Sequence, residues 1–199
     1  MNNDYNLEFC FKGKRNYVHG TDIYNKVIKN LDKNQIIYSN IDFSFHGVSQ
    51  ENLRISKIKP LDEKNLKFVY KYKNKNNQQE VFYATQDNSS IDCRYEYDEE
   101  SISTLSQMDI EKQEINLSVP TSYTFIENVV ANNKFLLEQL FPQADGKWYF
   151  TRLQLHEKID ENNIYPLRLL FKNNFNFKLT KTEISLNDKL VGFIYFSLV

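Results

Sequence analysis

The side chains best suited to chemistry are three histidines, two cysteines and a small set of carboxylates. His19 stands in Val18-His19-Gly20-Thr21-Asp22, directly before a stretch where Ile23, Val27, Ile28 and Leu31 recur at helical spacing. Imidazole titrates near neutrality, so a histidine at a helix start is equipped to shuttle a proton. Gly20 permits close backbone approach. Thr21 suits an N-cap, and Asp22 suits the positive end of the helix dipole. His46 and His156 stand at the ends of alternating stretches and read as strand-end surface residues, and no carboxylate pattern beside them indicates a metal. The stretch from Lys67 to Lys75 interleaves lysine with tyrosine. Period-two alternation explains it, with aromatics inward and lysines in water on a protected strand. No Cys-x-x-Cys pair, Gly-x-Ser-x-Gly elbow or glycine-rich phosphate loop occurs. The sequence therefore indicates neither a metal nor a cofactor.

The elements around these residues follow from periodicity. Residues 6–12 alternate as a strand, with Leu7, Phe9 and Phe11 on one face and Glu8, Cys10 and Lys12 on the other. A helix of about three turns is expected from near Asp22 to near Leu31, with Thr21 as its N-cap. Strands then follow at Ile41–Phe45, Leu53–Ile58 and Leu66–Lys73, and a return strand at Glu80–Thr85 closes a hairpin with the last of these. Another strand carries Ile91, Cys93, Tyr95 and Tyr97. Residues 99–113 are acidic and rich in serine, and read as a connector with a solvated face. Beyond them come a strand at Ile115–Val119 and a helix capped by Ser122 that ends near Phe141, before Pro142. Strands at Trp148–His156 and Tyr165–Phe171 follow. A closing hairpin turns around Asn187-Asp188.

The two halves share this order. Phe45-His46 matches Leu155-His156, and Asn65-Leu66-Lys67-Phe68 matches Asn176-Phe177-Lys178-Leu179. We read an internal duplication, with units at 1–98 and 114–199. The expected class is α+β, each unit an antiparallel sheet with one central helix.

Composition narrows the function classes. A net charge of −1 and a pI near 6.3 give no steering toward nucleic acid. No stretch approaches the about 18 apolar residues needed to span a bilayer, and the first residues lack the features of a secretory leader. The expected setting is a reducing cytoplasm, with Cys10 and Cys93 as buried free thiols.

Strand, helix, then about four antiparallel strands, twice in one chain, resembles the hotdog fold in its double form. The resemblance covers almost the whole chain and rests on element order and on the repeat. The chain carries neither the His-Phe-Pro stretch of the dehydratases nor the Gly-His and paired-Asn pattern of the thioesterases. The resemblance implies an acyl-thioester hydrolase or a hydroxyacyl dehydratase, acting on coenzyme A or carrier-protein thioesters. It implies His19 and Glu127 as the acid–base pair, with substrate-binding positions at Gly20, Thr21, Asp22 and Asn128. Taken without the resemblance, His19 is an ordinary pre-helix residue and Glu127 a solvated first-turn charge. A non-catalytic acyl-binding or protein-interaction module of the same fold stays open, as does assembly with further copies of the chain.

Overall fold

The computed structural model describes residues 4–199. The chain divides into two compact units between Tyr97 and Asp98.

The first unit runs β1 (Tyr5–Leu7), β2 (Phe11–Lys12), α1 (Gly20–Lys33), β3 (Tyr38–Phe45), β4 (Leu53–Ser56), β5 (Leu66–Asn74), β6 (Gln79–Gln86) and β7 (Arg94–Tyr95). Its antiparallel sheet has the order β1-β4-β6-β5-β3. Alternation on β3, β5 and β6 puts Phe43, Phe68, Tyr70 and Phe82 on the covered face, with Tyr70 and Phe82 stacked 4.8 Å apart. The helix lays Ile23, Tyr24, Val27 and Leu31 on this face, and the Tyr24 ring sits 5.3 Å from that of Phe43. Burying one such side chain stabilises by about 1.5–3 kcal/mol. The helix ends at Asn34, whose backbone and side-chain N–H groups both bond Asn30 O, and Gln35 then turns through φ 53°.

The second unit runs α2 (Glu100–Thr104), β8 (Gln107–Asp109), β9 (Glu114–Leu117), α3 (Phe125–Leu140), β10 (Trp148–Leu155), β11 (Leu167–Phe175), β12 (Leu179–Leu186) and β13 (Lys189–Leu198). Its sheet order is β8-β9-β11-β12-β13-β10, all antiparallel. The α3 helix is buried nearly all round, from Phe125 to Leu137. Asn187 and Asp188 adopt φ 48° and 62°, the left-handed pair that a two-residue hairpin requires. At Gly192 a Cβ would fall 2.0 Å from Gln154 O, so only glycine lets β13 run this close to β10.

Several expectations need correction. The strand expected over residues 6–12 is two elements. Leu7 pairs with Leu53 on β4, whereas Phe11 and Lys12 form a parallel ribbon with Arg94 and Tyr95. Lys12, placed on the face opposite Leu7, Phe9 and Phe11, is fully buried. The strand expected around residues 91–97 shrinks to β7. Cys10 and Cys93 are not free thiols but a disulfide, because the ribbon brings their Cα atoms to 4.7 Å. The N-cap of α1 is His19, with Thr21 inside the first turn, and the N-cap of α3 is Thr124, not Ser122. The acidic stretch at 99–113 carries α2 and β8, and Ile102 is fully buried there.

The halves also differ in topology. The sheet of the first unit places β5 beside β3, whereas the sheet of the second places β13 beside β10. The strings at Asn65 and Asn176 thus open strands in different sheet positions, so that landmark is a likeness of sequence only.

Candidate functional site

The first candidate site is built at the N-terminal end of α1. The β2–β7 ribbon is closed by the Cys10–Cys93 disulfide and by backbone bonds from Phe11 N–H to Cys93 O and Gly13 N–H to Tyr95 O. Gly13 turns the chain through φ 57° directly after Lys12. This arrangement carries the Lys12 side chain beneath the first turn of α1. There Nζ donates to Thr21 Oγ1 at 3.0 Å and to Asp22 Oδ1 at 3.2 Å, and lies 3.9 Å from the Tyr97 ring centroid. A hydroxyl, a carboxylate and an aromatic face thus surround an ammonium that water does not reach.

His19 is extended at the N-cap, with φ −78° and ψ 139°, and its carbonyl accepts from Asp22 N–H and Ile23 N–H. Its ring is buried, with Nδ1 2.7 Å from Thr21 Oγ1. Asp22 Oδ1 also accepts from Tyr95 OH at 2.7 Å, while Asp22 Oδ2 is buried without a hydrogen-bond partner among the described residues. Gly20 and Thr21 occupy first-turn positions, where N–H groups point out of the helix with no carbonyl of the helix to bond. The cluster therefore offers a buried imidazole, a buried ion pair and helix N–H donors within one turn of chain. Such an arrangement can polarise a carbonyl and move a proton.

The second candidate stands at the start of α3. Glu127 closes a capping box, its Oε2 accepting from Thr124 N–H at 3.0 Å and from Thr124 Oγ1 at 2.8 Å. Glu161 Oε2 accepts from the next amide, Phe125 N–H, at 2.9 Å. Burial holds the Glu161 carboxyl above the usual carboxylate range. The Phe125 bond opposes this, and the Glu127 and Asp160 charges add to it. Asn128 is fully buried. It accepts from Thr121 Oγ1 and donates to Tyr123 O and Tyr165 OH, so it ties the approach to α3 to the Tyr165 phenol.

Of the residues singled out in the sequence, His19, Gly20, Thr21 and Asp22 form one cluster, and Glu127 and Asn128 stand together at the start of α3. Sequence reasoning missed Lys12, Tyr95 and Glu161. Lys12 and Tyr95 lie on a ribbon that sequence-local pattern does not reveal, and nothing in its neighbours marks Glu161.

The first unit also contains a recess of about 490 Å³, lined by Tyr5, Leu31, Ile36, Tyr70, Tyr72 and Phe82 among others. It lies at the opposite end of α1 from His19. The Tyr5 and Tyr70 hydroxyls are 2.8 Å apart there. Burial, with smaller contributions from Glu80 and Tyr5, pushes the Tyr72 phenol up to about 12.

No protein-family model matches the chain, and no curated protein does. Solved structures do match. The dehydratase domain of PpsC from Mycobacterium tuberculosis, in complex with an acyl-CoA, aligns over 98% of this chain and 92% of its own, with TM-score 0.54 and 6% identity. A tesB protein from Mycobacterium avium subspecies paratuberculosis aligns over 98% and 93%, with TM-score 0.51 and 8% identity. A pyran synthase domain from module nine of the sorangicin pathway gives the same coverage, TM-score and identity. At these identities the likeness is one of fold, and the fold is the hotdog, with an antiparallel sheet and a central helix in each unit of this chain.

Proposed function

We propose that the chain binds an acyl thioester, carried on coenzyme A or on a carrier protein, at the start of α1, and hydrolyses it or removes or adds water. The observation that carries this reading is His19. It is a buried imidazole at a helix N-cap, bonded to Thr21 beside the Lys12–Asp22 pair. The Gly20 and Thr21 N–H groups are the donors for the thioester carbonyl, and His19 supplies the acid–base group. Asp22 acts in support, since it is engaged by Lys12 and Tyr95. Support for an acyl-thioester ligand comes from the PpsC dehydratase domain, which was solved with an acyl-CoA.

The recess at the far end of α1 favours a second reading, in which the chain holds an acyl group without turning it over. Aromatic and aliphatic walls from Tyr70, Tyr72, Phe82 and Leu31 stand there beside the polar Asp4, Asn30 and Asn34, a mixed lining of the kind ligand pockets have. Mass spectrometry of the purified chain with a panel of acyl- and hydroxyacyl-CoA thioesters separates the two. Product formed by the native chain and lost in His19→Ala supports catalysis. Saturable binding with no product supports the second reading, and neither binding nor product overturns both.

A further inference from the structure

With a thioester at the start of α1, the recess at the far end of that helix is left without an occupant. Its volume of about 490 Å³ falls within the about 300–1,000 Å³ of ordinary small-molecule pockets. One wall is a row of rings. Tyr70 and Tyr72 project from one face of β5, and Phe82 stands opposite Tyr70 on β6. The three planes lie within 17° of parallel, with centroids 4.8–6.3 Å apart. Tyr72 is only 5% exposed and lines the recess, yet its hydroxyl makes no hydrogen bond with any described residue. Buried phenols ordinarily find a partner, so this one calls for a ligand.

The charge on the lining has one sign. Among the described residues Asp4 contributes a carboxylate, and no lysine, arginine or histidine joins it. Arg54, the ion-pair partner of Asp4, stands outside the lining. Asn30, Leu31 and Asn34 bring the C-terminal turns of α1, the negative end of the helix dipole. Asn34 spends its Nδ2 on Asn30, which leaves Oδ1 as an acceptor. Burial first, and then Glu80 and Tyr5, push the Tyr72 phenol up to about 12, all in the same direction. The ring row already draws one cation of the chain, since Lys57 Nζ lies 5.2 Å from the Phe82 centroid.

We infer that the recess binds a small organic cation, a primary ammonium on an apolar body. The ammonium sits by the ring row and donates to the Tyr72 oxygen, with Asn34 Oδ1 and the Asp4 carboxylate as further acceptors. Leu31 and Ile36 cover the apolar body. The inference does not rest on the thioester reading at the start of α1. It gives the recess an occupant other than the acyl group of the second reading.

The test is isothermal titration calorimetry of the whole chain at pH 7 with phenethylammonium, 2-phenylethanol and 3-phenylpropionate, which share a phenyl body and differ in charge. The expected result is saturable binding of the ammonium, about tenfold tighter than either of the others. Tyr72→Phe removes the hydroxyl and keeps the ring, and should weaken the ammonium about three- to tenfold. Asp4→Asn, at the rim, should weaken it about two- to fivefold, and serves if Tyr72→Phe does not fold. Equal affinity for the alcohol, or preference for the carboxylate, overturns the cation class. Ammonium affinity unchanged in the variants that fold puts the binding elsewhere and overturns the site. No binding of the ammonium at millimolar concentration overturns the inference outright. Hexanoyl-CoA that displaces the ammonium also overturns it and returns the recess to the second reading.

Discussion

Lys12 and Asp22 are the partners whose removal should be felt most. Lys12 is 0% exposed at its side chain and Asp22 12%, with 3.2 Å between Nζ and Oδ1. Lys12→Met leaves a carboxylate with one oxygen, Oδ2, already unpaired among the described residues and with Tyr95 OH as the strong donor to the other. Stranding one member of a buried pair costs about 3–5 kcal/mol, and the partial exposure of Asp22 puts this case near about 3 kcal/mol. Asp22→Asn should cost a similar amount, because it strands the more deeply buried charge. The double variant strands neither, and the amide oxygen at position 22 would still accept from Tyr95. It should be no less stable than either single variant, which gives a coupling of about 3 kcal/mol, at the upper end for residues in contact. Urea unfolding of the four proteins at pH 7, followed by circular dichroism, measures this cycle. Losses that simply add would show that the pair is not energetically coupled, and the ion pair would drop out of the account of the site.

Asn133 is fully buried on α3, and neither end of its amide has a hydrogen-bond partner among the described residues. Asn133→Leu should therefore raise stability by about 1–3 kcal/mol, the cost of an unmade buried bond. A loss on denaturant unfolding would mean that the amide is satisfied. The Cys10–Cys93 disulfide spans 83 residues, which in the chain-entropy account stabilises by about 4–5 kcal/mol. Thiol titration of the unfolded chain should find no free thiol before reduction, and reduction should lower the unfolding midpoint; two free thiols would restore the expectation of a reduced chain. Glu161 binds its proton more tightly folded than unfolded, since burial raises its folded pKa. Its contribution is neutral below the unfolded value and becomes a penalty as pH rises through the folded one. Glu161→Gln still accepts from Phe125 N–H, so its stability gain over the native chain should be larger at pH 8 than at pH 5, and the opposite trend would refute this.

What could be read from the sequence was local. The β5–β6 and β12–β13 hairpins follow from alternation broken by turn residues, and Asn187-Asp188 is the pair that accepts left-handed backbone. Both central helices follow from spacing. The capping box was present in Thr124-x-x-Glu127 and is a better N-terminal signal than Ser122. What escaped was non-local. Lys12 looks like a solvated residue of a strand, because lysine is rarely buried without a partner. Its partners come from α1 and from residues 95 and 97, more than eighty positions away, through a parallel ribbon two residues long. The cysteine pair depends on that same ribbon. The shared string at Asn65 and Asn176 misled because a strand start looks the same wherever its strand lies in a sheet.

The central claim is that His19 at the start of α1 acts on an acyl thioester. The most direct test is turnover of an acyl- and hydroxyacyl-CoA panel, read by mass spectrometry for native and His19→Ala proteins side by side. The account predicts product from at least one thioester, reduced about 10²–10⁴-fold in His19→Ala, the usual effect of one positioned acid–base group. Turnover that is the same in both would contradict it.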